Sequence, residues 1–143
     1  MPIKIEEING RKCHFIVGFI IKNKDKYLLF ERKEFPFGFA GSCGHIDEGE
    51  SVKHAMKREL KEETNLVVVK HKLVFKNMIS LTPCHNDGTY DHMTYIFELE
   101  VKGDFKYEES EFKNYGWYTV DEISKLDLEP MWHHVFTKLG IIK

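Results

Sequence analysis

Apolar and β-branched residues dominate His14 to Ile21 and Tyr27 to Arg32, two β-rich runs separated by Asn23-Lys24-Asp25, whose turn-forming residues predict a hairpin. Gly38, Gly41, Gly44 and Gly49 then punctuate a segment with no clear periodicity, which reads as a loop. From Ser51 the spacing becomes helical and continues to about Thr64. Ser51 suits the N-cap, because its hydroxyl can accept an otherwise orphaned backbone N–H. Strands are expected at Leu66 to Val69, Leu73 to Leu81, Thr94 to Val101 and Tyr115 to Tyr118. Thr119-x-x-Glu122 has the form of a capping box, and Pro130 can open a last helix that ends near Gly140. Strands and helices are interleaved, with no repeat or low-complexity linker between them. The expectation is one mixed α/β domain over residues 1–143.

Composition narrows the partners. A chain of 143 residues buries roughly 68–70% of its unfolded surface, and 42% hydrophobic residues, 11 of them Phe, supply the core. Its 21 Lys and Arg nearly cancel its 23 Asp and Glu, leaving a net charge of −2. No basic stripe or polybasic tail is present, so nucleic acid is not expected as a bulk ligand. The apolar run Phe15 to Ile21 is far shorter than the roughly 20 residues of a membrane helix. Acids at Glu6 and Glu7 stand where a signal peptide would need its apolar run, so neither a membrane nor secretion is expected. Cys13, Cys43 and Cys84 are odd in number and lack Cys-x-x-Cys spacing, which argues against a disulfide framework and a structural zinc site. A reducing cytoplasm is the expected compartment.

The informative segment runs from Gly44 to Leu66. At about 3.6 residues per turn, Glu59, Glu62 and Glu63 fall on one side of the predicted helix, together with Val52, Ala55 and Met56. Lys53, Lys57 and Lys61 form the opposite stripe. The carboxylates are therefore expected on the core-facing side, where they repel one another and lose hydration. Divalent cations supply the missing compensation, and hard oxygen ligands favour Mg²⁺ or Mn²⁺ over zinc. Arg58 can reach Glu50 as a structural ion pair that holds the preceding loop against the helix.

This segment resembles the Nudix box, G-x5-E-x7-R-E-U-x-E-E-x-G-U, where U is a bulky aliphatic residue. Gly44, Glu50, Arg58, Glu59, Leu60, Glu62, Glu63 and Leu66 match, and Asn65 stands in place of the final glycine. The resemblance implies an α/β/α sandwich with a mixed central sheet. It also implies a Mg²⁺-dependent hydrolase, with Mn²⁺ able to substitute, that cleaves a phosphoanhydride bond in a nucleoside diphosphate linked to another group. Nucleoside triphosphates, oxidised nucleotides and ADP-ribose are examples of such substrates. Glu59, Glu62 and Glu63 would be the catalytic and metal-binding residues, joined by the backbone carbonyl of Cys43. Many members add a carboxylate from a loop before a late Trp, and Glu111 ahead of Trp117 is favoured here. Many relatives dimerise, so a homodimer is compatible with the resemblance.

A second resemblance lies within the first. Ser42-Cys43-Gly44-His45, followed by Gly49-Glu50-Ser51, is similar to a bacterial isopentenyl-diphosphate isomerase, in which the matching cysteine is catalytic and the matching histidine binds metal. That isomerase lacks the complete Arg-Glu-U-x-Glu-Glu run and uses further N-terminal histidines, where this chain offers only His14. Hydrolysis is the first expectation, the isomerase the alternative, and a Nudix-fold ligand sensor without turnover a third.

For the substrate, Phe35, Phe37 and Phe39 alternate just ahead of the box and either stack on a base or pack in the core. Phe37 and Phe39 are taken as substrate-binding candidates, with His45 and with Tyr90 from the polar loop of residues 83–92. The charge also acquires a location. From Asp47 to Glu63 there are six acids and four bases, and the rest of the chain is balanced. Bound cations would turn this acidic cluster into a phosphate site.

Overall fold

The computed structural model describes residues 2–84 and 86–143. Side-chain alternation in one long strand sets the architecture. Strand β2 (Arg11–Asn23) directs Phe15, Val17, Phe19 and Ile21 into one core, and Ile16 and Ile20 into another on its opposite face. A strand buried on both faces needs cover on both. Helix α1 (Val52–Thr64) covers the first face through Ala55, Met56 and Leu60. Helices α2 (Val120–Ile123) and α3 (Pro130–Lys138) cover the second through Ile123, Trp132, Val135 and Phe136. The expected α/β/α sandwich is the observed fold.

The remaining strands are β1 (Ile5–Ile8), β3 (Lys26–Arg32), β4 (Phe39–Ala40), β5 (Ser42–His45), β6 (Val67–Ile79), β7 (Asp91–Lys102) and β8 (Phe112–Thr119). They join β2 in one mixed, eight-stranded sheet with the central order β4-β3-β2-β7-β6. One edge of β2 runs parallel to β7, from Cys13 beside Asp91 to Ile21 beside Leu99. Its other edge is shared along its length by β1, β5 and β3, all antiparallel. The β2–β3 hairpin turns at Lys24-Asp25, as the turn residues predict.

Four elements differ from the pattern expected from sequence. The two strands expected at 66–69 and 73–81 are one continuous β6. Irregularities between Val68 and Lys70 and between Leu73 and Phe75 break its alternation, and much of this outer strand faces solvent. The glycine-rich segment read as a loop contains β4 and β5. Their order comes from backbone pairing, with Ser42 to His45 lying against Phe19 to Ile16, so small residues there leave no hydrophobic period. β1, which the sequence did not suggest, pairs with the start of β2.

The end of α1 shows how Asn65 replaces a glycine. Asn65 adopts a left-handed conformation at φ 62°, its N–H donates to the Lys61 carbonyl, and its side-chain amide donates to the Asp104 carbonyl at 3.0 Å. Asn tolerates this backbone better than other residues with a Cβ, and here it gains a bond that glycine lacks. Asn65→Ala is expected to lower unfolding free energy by about 1–2 kcal/mol in urea denaturation, and Asn65→Gly by less. Equal midpoints for all three proteins would remove this account of the cap.

Candidate active site

The site is built where α1 lies across β5. Ser51 caps α1 by accepting the His54 N–H at 3.1 Å, which fixes the start of the helix and the angular positions of its glutamates. Gly44 on β5 sits directly beneath the Glu59 carboxylate. A Cβ at Gly44 would collide with it, so the glycine is what allows helix and strand to approach.

Arg58 holds this junction together. Its Nε and Nη2 donate to the two oxygens of Glu50 at 2.8 and 2.9 Å, while Nη2 also donates to the His45 carbonyl at 3.0 Å. Nη1 donates to Glu59 Oε1 at 3.0 Å and reaches Glu62 at 3.4 Å. Glu50 in turn accepts the Asp47 N–H at 3.0 Å. The Arg58 hydrogen bonds hold the Glu50 carboxyl down at about 2, and the same pairing raises Arg58. The ion pair between Glu50 and Arg58 is therefore present as the sequence suggested.

The three glutamates do not share one environment. Glu59 and Glu63 are buried, whereas the Glu62 side chain is 57% exposed at the rim. This corrects the expectation that all three lie on the core-facing side. At about 100° per residue, Glu63 sits about 40° from Glu59 on the inward side, and Glu62 about 60° away on the Arg58 side. Burial pushes Glu59 up to about 7, with Arg58 opposing the rise. Glu63 is raised further, by burial first and then by Glu111, whose carboxyl faces it. Glu63 Oε2 is buried without a hydrogen-bond partner among the described residues, and the acids around it disfavour its ionised form.

These groups open onto a cavity of about 860 Å³. Glu59, Glu62, Glu63, Glu111, Cys43 and His45 all line it, so the structure brings the carboxylate candidates together. Phe37, Phe39 and Tyr90 are not among its lining residues. Phe39 packs edge-on against Tyr118, Phe37 is 62% exposed, and Tyr90 lends its carbonyl to His92 Nδ1 at 2.9 Å. Of the three Phe in the run, Phe35 lines the cavity, as do Arg32, Pro36 and Leu81. Alternation through the Phe run gave no means of choosing among its three rings, and nothing in the sequence marked Arg32. The polar loop does contribute, through Pro83, Cys84, Asn86 and Gly88, while His85 lies outside the described residues. Burial pushes the Cys43 thiol up to about 12, so it is a neutral thiol rather than a thiolate near neutral pH. His45 is lowered to about 4 by burial and by the neighbouring His14 and His92, leaving its ring neutral.

With this geometry in place, a family model described as the NUDIX domain matches residues 13–139. The chain belongs to the Nudix family. A "Nucleoside triphosphatase NudI" of Enterobacter sp. (strain 638) is 32% identical over 139 residues, covering 89% of this chain and 96% of that protein. One of Salmonella typhimurium is 27% identical over 137 residues, with the same coverage. Among solved structures, a MutT NUDIX hydrolase from Burkholderia pseudomallei superposes with a TM-score of 0.74 at 19% identity, covering 87% of this chain and 96% of that one. A NUDIX hydrolase from Nitrosomonas europaea gives 0.68 at 24% identity, covering 89% and 88%. These likenesses establish the fold. The protein is a Nudix hydrolase, and the isomerase alternative is not favoured. No helix among the described residues is long and apolar enough to cross a membrane.

Nudix enzymes use divalent metal, and the residues present fit such an ion. An orphaned buried carboxylate oxygen, two glutamates pushed toward neutrality and a facing Glu111 form an oxygen-rich cradle whose full ionisation needs an added cation.

Glu59 binds its proton more tightly in the folded chain than in the unfolded one. Its contribution to stability is therefore full below about 4.5 and is lost as pH rises through about 7. In EDTA, the melting temperature is expected to fall across this window. Glu59→Gln should flatten the fall, and a divalent cation should reverse it in the wild-type protein. Parallel pH profiles for the two proteins would contradict the assignment.

Proposed function

We propose that this Nudix hydrolase is a Mg²⁺-dependent pyrophosphohydrolase of nucleoside triphosphates, with Mn²⁺ able to substitute. The observation that carries the reading is the uncompensated Glu63 Oε2 beside Glu59 and Glu111 on the cavity wall. The substrate class rests on the triphosphatases to which the chain is similar over nearly its whole length. A cavity of about 860 Å³ is of a size that holds a nucleotide.

In this reading Glu59, Glu62, Glu63, Glu111 and the Cys43 backbone carbonyl hold the metal. The bound ion supplies charge neutralisation on the phosphate oxygens and lowers the pKa of an attacking water. Arg58 fixes Glu59 by Oε1 and leaves Oε2 for the reaction. Glu59, poised near neutrality, accepts the proton of the attacking water. Arg32 offers a guanidinium to the polyphosphate, and the exposed Phe35 ring offers a face for the base. The reading extends to a cytoplasmic protein, in keeping with its free cysteines. It also extends to a homodimer, for which exposed Val67, Val69 and Leu73 on edge strand β6 provide apolar surface.

The test is a panel of nucleoside triphosphates, oxidised nucleotides, ADP-ribose and isopentenyl diphosphate incubated with Mg²⁺ and analysed by mass spectrometry. Triphosphate hydrolysis is expected. Glu59→Gln should lower kcat by about 100-fold or more, the scale of losing a group that stabilises transition-state charge, while leaving circular dichroism unchanged. Cys43→Ser should keep near-normal hydrolysis. Near-normal turnover in Glu59→Gln would overturn its role, and isomerisation without hydrolysis would overturn the proposed reaction.

A further inference from the structure

At the wall of the same cavity, lined by His45, Cys84 and His92, these three side chains converge with the buried His14 behind them. His14, His45, Cys84 and His92 offer ligand atoms that all lie within 4.8 Å of one another. Strand register builds the cluster. His14 on β2 stands beside His92 in the parallel pairing with β7, and β5 brings His45 opposite Ile16 on the other edge of β2. Cys84 comes from the β6–β7 connection, where its N–H donates to the Thr89 carbonyl at 2.7 Å and its carbonyl accepts the Gly88 N–H at 2.8 Å.

The spacing suits one tetrahedral ion. His14 Nδ1 lies 3.2 Å from His45 Nε2, and Cys84 Sγ lies 3.9 Å from the same nitrogen. Zinc bonds of about 2.0–2.1 Å to nitrogen and about 2.3 Å to sulfur put adjacent tetrahedral ligands about 3.3 to 3.6 Å apart. For His14 and His92 the outward ring nitrogen is also engaged, as metal-bound imidazoles require. His14 Nε2 faces Asp87 Oδ2 at 2.9 Å, and His92 Nδ1 faces the Tyr90 carbonyl at 2.9 Å. Each acceptor takes an N–H, which leaves the lone pairs of His14 Nδ1 and His92 Nε2 available to a metal. Lys12 Nζ, 2.6 Å from Asp87 Oδ2, keeps that carboxylate charged and in place.

We propose that His14, His45, Cys84 and His92 form a Zn²⁺ site, separate from the carboxylate cradle, that pins the β6–β7 loop to β2 and β5. Nitrogen and sulfur donors select zinc-class metals over Mg²⁺, and four protein ligands make a closed structural site rather than one that activates water. The ion therefore fixes one wall of the cavity. The site arises although no Cys-x-x-Cys spacing exists, because strand pairing rather than a local motif assembles its ligands.

The proposal is independent of turnover and is tested by metal binding on the full chain. Zn²⁺ is titrated against a chromophoric chelator, and Co²⁺ is substituted to read tetrahedral d–d bands and a thiolate-to-cobalt charge-transfer band. One tight zinc per chain and a thiolate band are expected in the wild-type protein and in Glu59→Gln. Cys84→Ser should abolish the band, and Cys84→Ser and His92→Ala should each weaken zinc by at least about 10-fold. Zinc should raise the melting temperature of the wild-type protein and have little effect on either variant. Absence of the thiolate band from wild-type protein, or unchanged zinc affinity in both variants, would overturn the site.

Discussion

The arrangement around α1 depends on a single guanidinium. Arg58 has a planar fork of five N–H donors, and it spends them on Glu50, Glu59, Glu62 and the His45 carbonyl. Lysine, a point charge with three rotatable donors, does not match that geometry. Through this one group the loop after β5 is tied to α1, and the register between helix and strand is set. Gly44 beneath Glu59 then completes a contact that the charge network has already positioned.

The same network is deliberately incomplete. Glu50 is fully answered by Arg58 and stays ionised far below the usual glutamate range. Arg58 answers Glu59 through Oε1, whereas Glu63 faces Glu111. A gradient runs from the loop before α1 into the helix, from a satisfied carboxylate at Glu50 that serves the fold to an unsatisfied one at Glu63 that suits a cation. Such local conflict with folding rules is where function is expected to concentrate. The scaffold tolerates it because the two apolar cores on either side of β2 are independently well packed.

The sequence exposed the part of the site that is local. Glu50, Arg58, Glu59, Glu62 and Glu63 all sit within one loop and one helix, so their relation follows from helical geometry. Even there, projection alone put Glu62 inside, because it does not reveal that β5 lies over the Glu59–Glu63 side and leaves Glu62 at the rim. The layers of the fold were legible from the interleaving of strand and helix. β5 was not, because backbone pairing with β2 creates it without any hydrophobic period. The histidine cluster was also hidden: His14, His45 and His92 meet only through the parallel pairing of β2 with β7 and the antiparallel pairing with β5. Phe35 was seen, but choosing it over Phe37 and Phe39 required knowing which ring faces the cavity.

Strand order also bears on how such an enzyme diversifies. The connection from β6 to β7 runs between an edge strand and its inner neighbour, and it borders the cavity while lying apart in sequence from α1, which carries Glu59, Glu62 and Glu63. Insertions or exchanges there alter the shape offered to a nucleoside while the hydrolytic helix keeps its sequence and its cap. In the proposed reading, chemistry and selectivity are thus encoded in separable stretches of chain, so selection can retune one without rebuilding the other.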